Sequence, residues 1–198
     1  GQTNLTQYLD GSGTRCYGII VSSTSVAHGD PKPYTVTLAY TDPPTDTGGG
    51  SIVSGQAMTG SIEMPGDADT YTFSGTYGAT VQIDLQGDGA VFRLLSGNSY
   101  QCESSTPWWD SGSLASNQTN LTQYLDGSGT KCYGIVVSSP SVAHGDPKPY
   151  TVTLAYTDPP TDIGGGSMLL GIPTVSGQAM TGSIEMPGDT DTYTFSGT

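Results

Sequence analysis

Basic residues are scarce in this chain: Lys and Arg together number five, against 18 Asp and Glu, for a formal net charge of −13. Nucleic acids and anionic membranes both select for clusters of Lys and Arg, so neither is an expected partner. Long apolar runs are missing as well. The longest, residues 168–172, is far too short to cross a bilayer, so no membrane insertion is expected in this stretch, and no signal peptide is recognisable. Histidine occupies one kind of place, His28 and His144 on the same Gly-Asp-Pro loop, and no Gly-x-Ser-x-Gly elbow poises a nucleophile. A hydrolase is therefore not expected, and the chain reads as no enzyme. EF-hand spacing and paired Cys or Cys/His metal motifs are also missing.

What is present is repetition. Residues 2–46 return as residues 118–162, changed only at Arg15/Lys131, Ile20/Val136 and Thr24/Pro140. Residues 54–76 return as residues 176–198, changed only at Ala68/Thr190. The unit is about 120 residues long, and the expected division is a tandem array cut within a unit at both ends. Residues 1–46 would be the C-terminal part of a preceding repeat plus linker, 47–162 one complete repeat with flanking linkers, and 163–198 a linker and the opening of the next repeat.

High Gly, Ser and Thr content can signal disorder, but Val, Ile, Leu, Tyr and Phe alternate with polar residues in short runs bounded by turns. Tyr34, Val36, Leu38 and Tyr40 share one face of such a run, as do Tyr71 and Phe73, and Val81, Ile83 and Leu85. Residues 4–9, 16–22 and 34–40 read as strands, residues 41–52 as a Pro- and Gly-rich linker, and residues 96–116 as a long polar loop. Seven or eight strands without a convincing helix predict an all-β fold, an antiparallel, jelly-roll-like β-sandwich repeated in tandem.

Cys16 and Cys132 are one repeated position, and Cys102 lies in the part present once. A Cys102–Cys132 disulfide is expected, with Cys16 paired outside this sequence, and such a bridge implies an oxidising, extracellular or cell-surface setting. Asp67 and Asp69, with copies Asp189 and Asp191, lie two residues apart on a turn. Two readings stand: partial ligation of calcium, which needs six to eight oxygens, or turn aspartates accepting backbone N–H bonds. Trp108 and Trp109 follow Pro107 and serve either as a stacking platform for sugars or as packing. Asn4, Asn117 and Asn120 open glycosylation sequons.

The run GSIEMPGDADTYTFSGTYGATVQIDL resembles the bacterial pre-peptidase C-terminal domain, through Gly60, Ile62, Gly66, Asp67, Asp69, Tyr71, Phe73 and Gly78, with a looser match over residues 132–137 and at Tyr150, Val152 and Leu154. The resemblance implies a non-catalytic β-sandwich module of secreted or cell-surface proteins, associated with secretion, adhesion and calcium. Because equal interfaces that do not close continue indefinitely, near-identical neighbours suggest an extracellular filament, stalk or adhesin shaft whose partners are head-to-tail copies of the same repeat. The alternative is a non-catalytic carbohydrate- or matrix-binding module, with glycans or extracellular matrix as partner.

Overall fold

The computed structural model describes residues 4–9, 16–97, 102, 109–126, 129–168 and 179–195, with the side chains of 109–112 outside that set. The chain divides into two compact units, Gly1–Thr45 and Asp46–Thr198. The second carries every strand found among the described residues: β1 (Gly50–Ser51), β2 (Ala57–Ile62), β3 (Ala68–Thr76), β4 (Thr80–Gly87), β5 (Val91–Gly97), β6 (Trp109–Gln118), β7 (Asn120–Tyr124), β8 (Thr130–Ser138), β9 (Lys148–Thr157), β10 (Gly166–Met168) and β11 (Tyr193–Phe195). One sheet has the order β1-β3-β8-β5-β6 and another the order β2-β9-β4-β7, while β10 and β11 form a separate pair.

Alternation builds the core. Tyr71 and Phe73 of β3, Phe92 and Leu94 of β5, and Tyr133, Ile135 and Val137 of β8 meet Val81, Ile83 and Leu85 of β4 and Tyr150, Val152 and Leu154 of β9 in one buried cluster. Each set recurs at every second residue, so one face of each strand is apolar and the two sheets close on each other as in a sandwich. Each such side chain contributes about 1.5 to 3 kcal/mol on burial, an upper figure because unfolded chains already hide some surface. Strand β8 is buried at six successive positions, 132–137, as befits a strand flanked by β3 and β5.

The sheets depart from the expected all-antiparallel pattern. Strand β1 runs parallel to β3, pairing Gly50 with Tyr71 and Ser51 with Thr72, and β10 runs parallel to β11. The expected linker is therefore part of the fold from Thr47 onward. Ser61 N donates to Thr47 O at 2.8 Å, Ile52 N donates to Thr72 O at 2.9 Å, and Ile52 is buried. Glycine is required here for a steric reason: a side chain on Gly48 would run into the Asp69 carboxyl group, and Gly49 lies against the Thr70 backbone with φ of 71°. A second departure is β6, which converts much of the expected 96–116 loop into an edge strand paired with β5 through irregular register.

The unit Gly1–Thr45 contains no strand among its described residues, although residues 4–9, 16–22 and 34–40 have strand-like sequences. Their counterparts β7, β8 and β9 are strands because β4, β3 and β5 lie beside them. Strand propensity needs a neighbour to accept and donate its hydrogen bonds.

Candidate metal centre

The linker crosses the start of β3, and that crossing gathers three carboxylates. Asp46, Glu63 and Asp67 each offer an oxygen, and these oxygens lie within 4.8 Å of one another. Asp46 comes from the linker, held by the Thr47–Ser61 bridge, while Glu63 and Asp67 bracket the turn between β2 and β3. The turn is closed by Asp67 N donating to Met64 O at 3.1 Å and by Glu63 N donating to Asp67 Oδ2 at 2.9 Å. Thr47 Oγ1 donates to Glu63 Oε1 at 2.7 Å. Glu63 Oε2, on a residue only 7% exposed, is buried with no hydrogen-bond partner. A buried carboxylate oxygen without a donor is costly, and this one belongs to a residue clustered with two other acids.

The same arrangement recurs at Asp162, Glu185 and Asp189, again within 4.8 Å. Glu185 N donates to Asp189 Oδ2 at 2.9 Å, and Glu185 Oε2 is likewise buried without a partner. The Glu185 N–H holds the Asp189 carboxyl below the usual range. Ile163 stands where the first copy has Thr47, and Ser183 Oγ donates to Glu185 Oε1 instead.

Of the four aspartates marked by their spacing, Asp67 and Asp189 enter these triads. Asp69 does not join the first; it is 3% exposed and accepts a 2.5 Å hydrogen bond from Tyr150 Oη, which also lies 2.9 Å from Tyr71 Oη. Burial pushes Asp69 up to about 6, the Tyr150 bond offsets part of this, and the charges of Asp46, Asp67 and Glu63 add to it. Burial and the bonds to Asp69 and Tyr71 push the Tyr150 hydroxyl upward in turn. Asp191, the copy of Asp69, is raised by burial and by Asp162, Asp189 and Glu185, and its Oδ1 is buried without a partner. Asp46, Glu63 and their copies escaped sequence reasoning. The available signal was that Asp46 and Asp162 close one repeated block while Glu63 and Glu185 sit four residues before an aspartate within the other.

Calcium suits this donor set. It takes six to eight oxygens, and three carboxylates and a hydroxyl-bearing neighbour provide a hard, anionic start to such a shell. A cation would also supply the partner that Glu63 Oε2 lacks.

The remaining candidates are placed as follows. Cys102 and Cys132 form a disulfide with Cα atoms 5.1 Å apart, and Cys16 is exposed and free. Asn4, Asn117 and Asn120 are exposed, with Asn117 in the left-handed region at φ 55°. Trp108 lies outside the described residues, and Trp109 is described only by its backbone in β6. His28 is exposed and His144 partly so, and no catalytic triad is evident among the described residues. No described helix is long and apolar enough to cross a membrane.

No family model matches the chain, and no curated protein matches it. Among solved structures it is similar to Aeromonas hydrophila PliG, a periplasmic lysozyme inhibitor of g-type lysozyme, at 17% identity and a TM-score of 0.40 over 57% of this chain and 100% of that one. Salmonella Typhimurium PliG matches at 16% identity and a TM-score of 0.34, over 56% and 99%. The pre-peptidase C-terminal domain of a Bacillus anthracis collagenase matches at 12% identity and a TM-score of 0.34, over 57% and 99%. These are weak, partial likenesses.

Proposed function

We propose that this chain is a non-catalytic binding module of an extracellular or cell-surface protein, and that its ligand at each linker junction is a calcium ion. The observation that carries the reading is the orphaned, buried Glu63 Oε2 within a carboxylate triad, reproduced at Glu185. An acidic triad alone is common on a surface; one that strands a carboxylate oxygen away from water calls for a cation. The Cys102–Cys132 disulfide supports an oxidising compartment, where free calcium is plentiful enough for modest sites.

Repetition of the linker acid and the turn acids supports a stalk or shaft built from copies of the module. Each ion would join a linker to the module that follows it, reducing the freedom of that joint. The direct test is calorimetric titration of the EDTA-stripped chain with calcium. Saturable binding that Glu63→Gln and Glu185→Gln together abolish is expected; a flat titration of the unmodified chain rejects the reading. Electron microscopy of native material, with its denaturing mass under reducing conditions, tests the shaft: filaments from chains far heavier than 20.4 kDa support covalent repetition, and dispersed particles reject it.

A further inference from the structure

The turn that opens the second copy is seated on the complete module. Tyr77 Oη donates to Pro187 O at 2.9 Å, and a side chain added at Gly188 would reach Tyr77 Oη at 3.1 Å. Gly78, with φ of 80°, lies directly under Met186, so that any side chain there would run into its Sδ and come within 3.3 Å of Pro159. This seat is firmly held, since Tyr77 N donates to Gly129 O at 2.9 Å and Gly78 N to Leu125 O at 3.0 Å.

The seated residues, Met186, Pro187 and Gly188, are the copies of Met64, Pro65 and Gly66. Both turns have the same closure, Asp67 N to Met64 O and Asp189 N to Met186 O, each at 3.1 Å. Within the complete module the Met64 turn immediately precedes β3, and the Tyr77–Gly78 seat immediately follows it. Nine residues of strand separate them, a span of roughly 30 Å. One module therefore carries a plug at one end of β3 and the matching socket at the other.

We infer that the Met-Pro-Gly turn between β2 and β3 is a docking element, and that its partner is the Tyr77–Gly78–Pro159 socket of the module placed ahead of it. The contact is heterologous, because plug and socket are different surfaces, and copies joined this way extend in one direction without closing. Gly78 serves two purposes, allowing the left-handed turn and leaving room for the methionine. The inference rests on the repeat reading proposed above but not on the cation, since neither Met186 nor Pro187 is an acid and Tyr77 reaches a backbone carbonyl.

Hydrogen exchange of the whole 198-residue chain, read by mass spectrometry with and without EDTA, tests it. Tyr77→Phe removes only the hydroxyl, and it should speed exchange of the 183–190 peptide about five- to tenfold while leaving the identical turn at 62–67 and the core peptide 132–137 unchanged. Met186→Ala, at a residue outside the buried core cluster, should do the same from the plug side. If neither variant alters 183–190, the docking is overturned. It is also overturned if protection of 183–190 in the unmodified chain is lost in EDTA and restored by calcium, for then the ion and not the socket holds the turn. Persistence of that protection in EDTA supports the docking even where the calorimetric titration is flat, so the two readings fail separately.

Discussion

Replacing Glu63 by Gln keeps the side chain's volume but exchanges a carboxylate oxygen that has no hydrogen-bond partner for an amide that can donate. In cation-free protein this change relieves repulsion among groups whose oxygens lie within 4.8 Å. At that separation one pair of charges costs about 3 kcal/mol at an effective dielectric of about 20 and about 1 kcal/mol in bulk water. Asp46 is exposed, which draws the value toward the lower figure, so Glu63→Gln should stabilise the EDTA-treated chain by about 1 kcal/mol. Calcium reverses the order. An ion at 100 times its Kd stabilises the native state by about 2.7 kcal/mol, and at about 3 °C per kcal/mol for a domain of this size the unmodified chain gains about 8 °C. The variant, having lost a ligand oxygen at this site, gains little from it, while the second cluster at Asp162, Glu185 and Asp189 is the same in both chains. Differential scanning calorimetry should therefore show Glu63→Gln melting about 3 °C above the unmodified chain in EDTA and about 5 °C below it in calcium. Two results refute this reasoning: a variant that melts lower in EDTA, which would make Glu63 a structural partner, or an unmodified chain indifferent to calcium.

Three further outcomes are expected. Asp69 has its carboxyl pushed up to about 6 from 3.8, so its protonated form stabilises the fold fully below about pH 4, and that stabilisation is lost as pH rises through about 6. In EDTA, the stability difference between the unmodified chain and Asp69→Asn should shift by about 2 kcal/mol between pH 4 and 7, measured by urea titration at each pH; a difference independent of pH refutes it. Replacing Cys102 and Cys132 by Ser opens a loop of sequence separation 30 and should cost about 3 to 4 kcal/mol, read as a lowered melting temperature. Expression in a host that glycosylates should modify exposed Asn4, Asn117 and Asn120, and a tryptic mass map with all three unmodified rejects that expectation.

The core was legible because it obeys a local rule. Tyr71 and Phe73, Val81, Ile83 and Leu85, and Tyr150, Val152 and Leu154 are all buried as their alternation requires. The carboxylate cluster was only half legible, because its geometry depends on a crossing that no local pattern encodes. Spacing drew attention to Asp67 and Asp69 together, yet Asp67 stays in the turn while Asp69 enters β3 on the same inward face as Tyr71 and Phe73, where it meets Tyr150. Asp46 and Glu63 meet only because Gly48 and Gly49 let the linker lie flat against Asp69 and Thr70. Those glycines read as a flexible tether in sequence; in the fold they permit close packing. The same ambiguity attended Gly78, which looked like an ordinary turn glycine and is also the floor on which Met186 rests.

The two copies of one sequence make the same point more sharply. Residues 16–41 and 132–157 differ only at Ile20/Val136 and Thr24/Pro140, yet Leu38 is 76% exposed where Leu154 is 2% exposed, and Ile20 is 92% exposed where Val136 is 7%. Intrinsic propensity is nearly equal in the two segments, so it cannot be what makes one of them a pair of strands. The difference lies in their neighbours: β8 has β3 and β5 on its flanks, and β9 has β2 and β4. The hydrogen bonds of a strand and the burial of its apolar face are both supplied from outside it, so β8 and β9 acquire their structure together with the strands that cover them. A fold assembled this way ties the stability of each strand to the presence of the neighbours that pair with it and cover its apolar face.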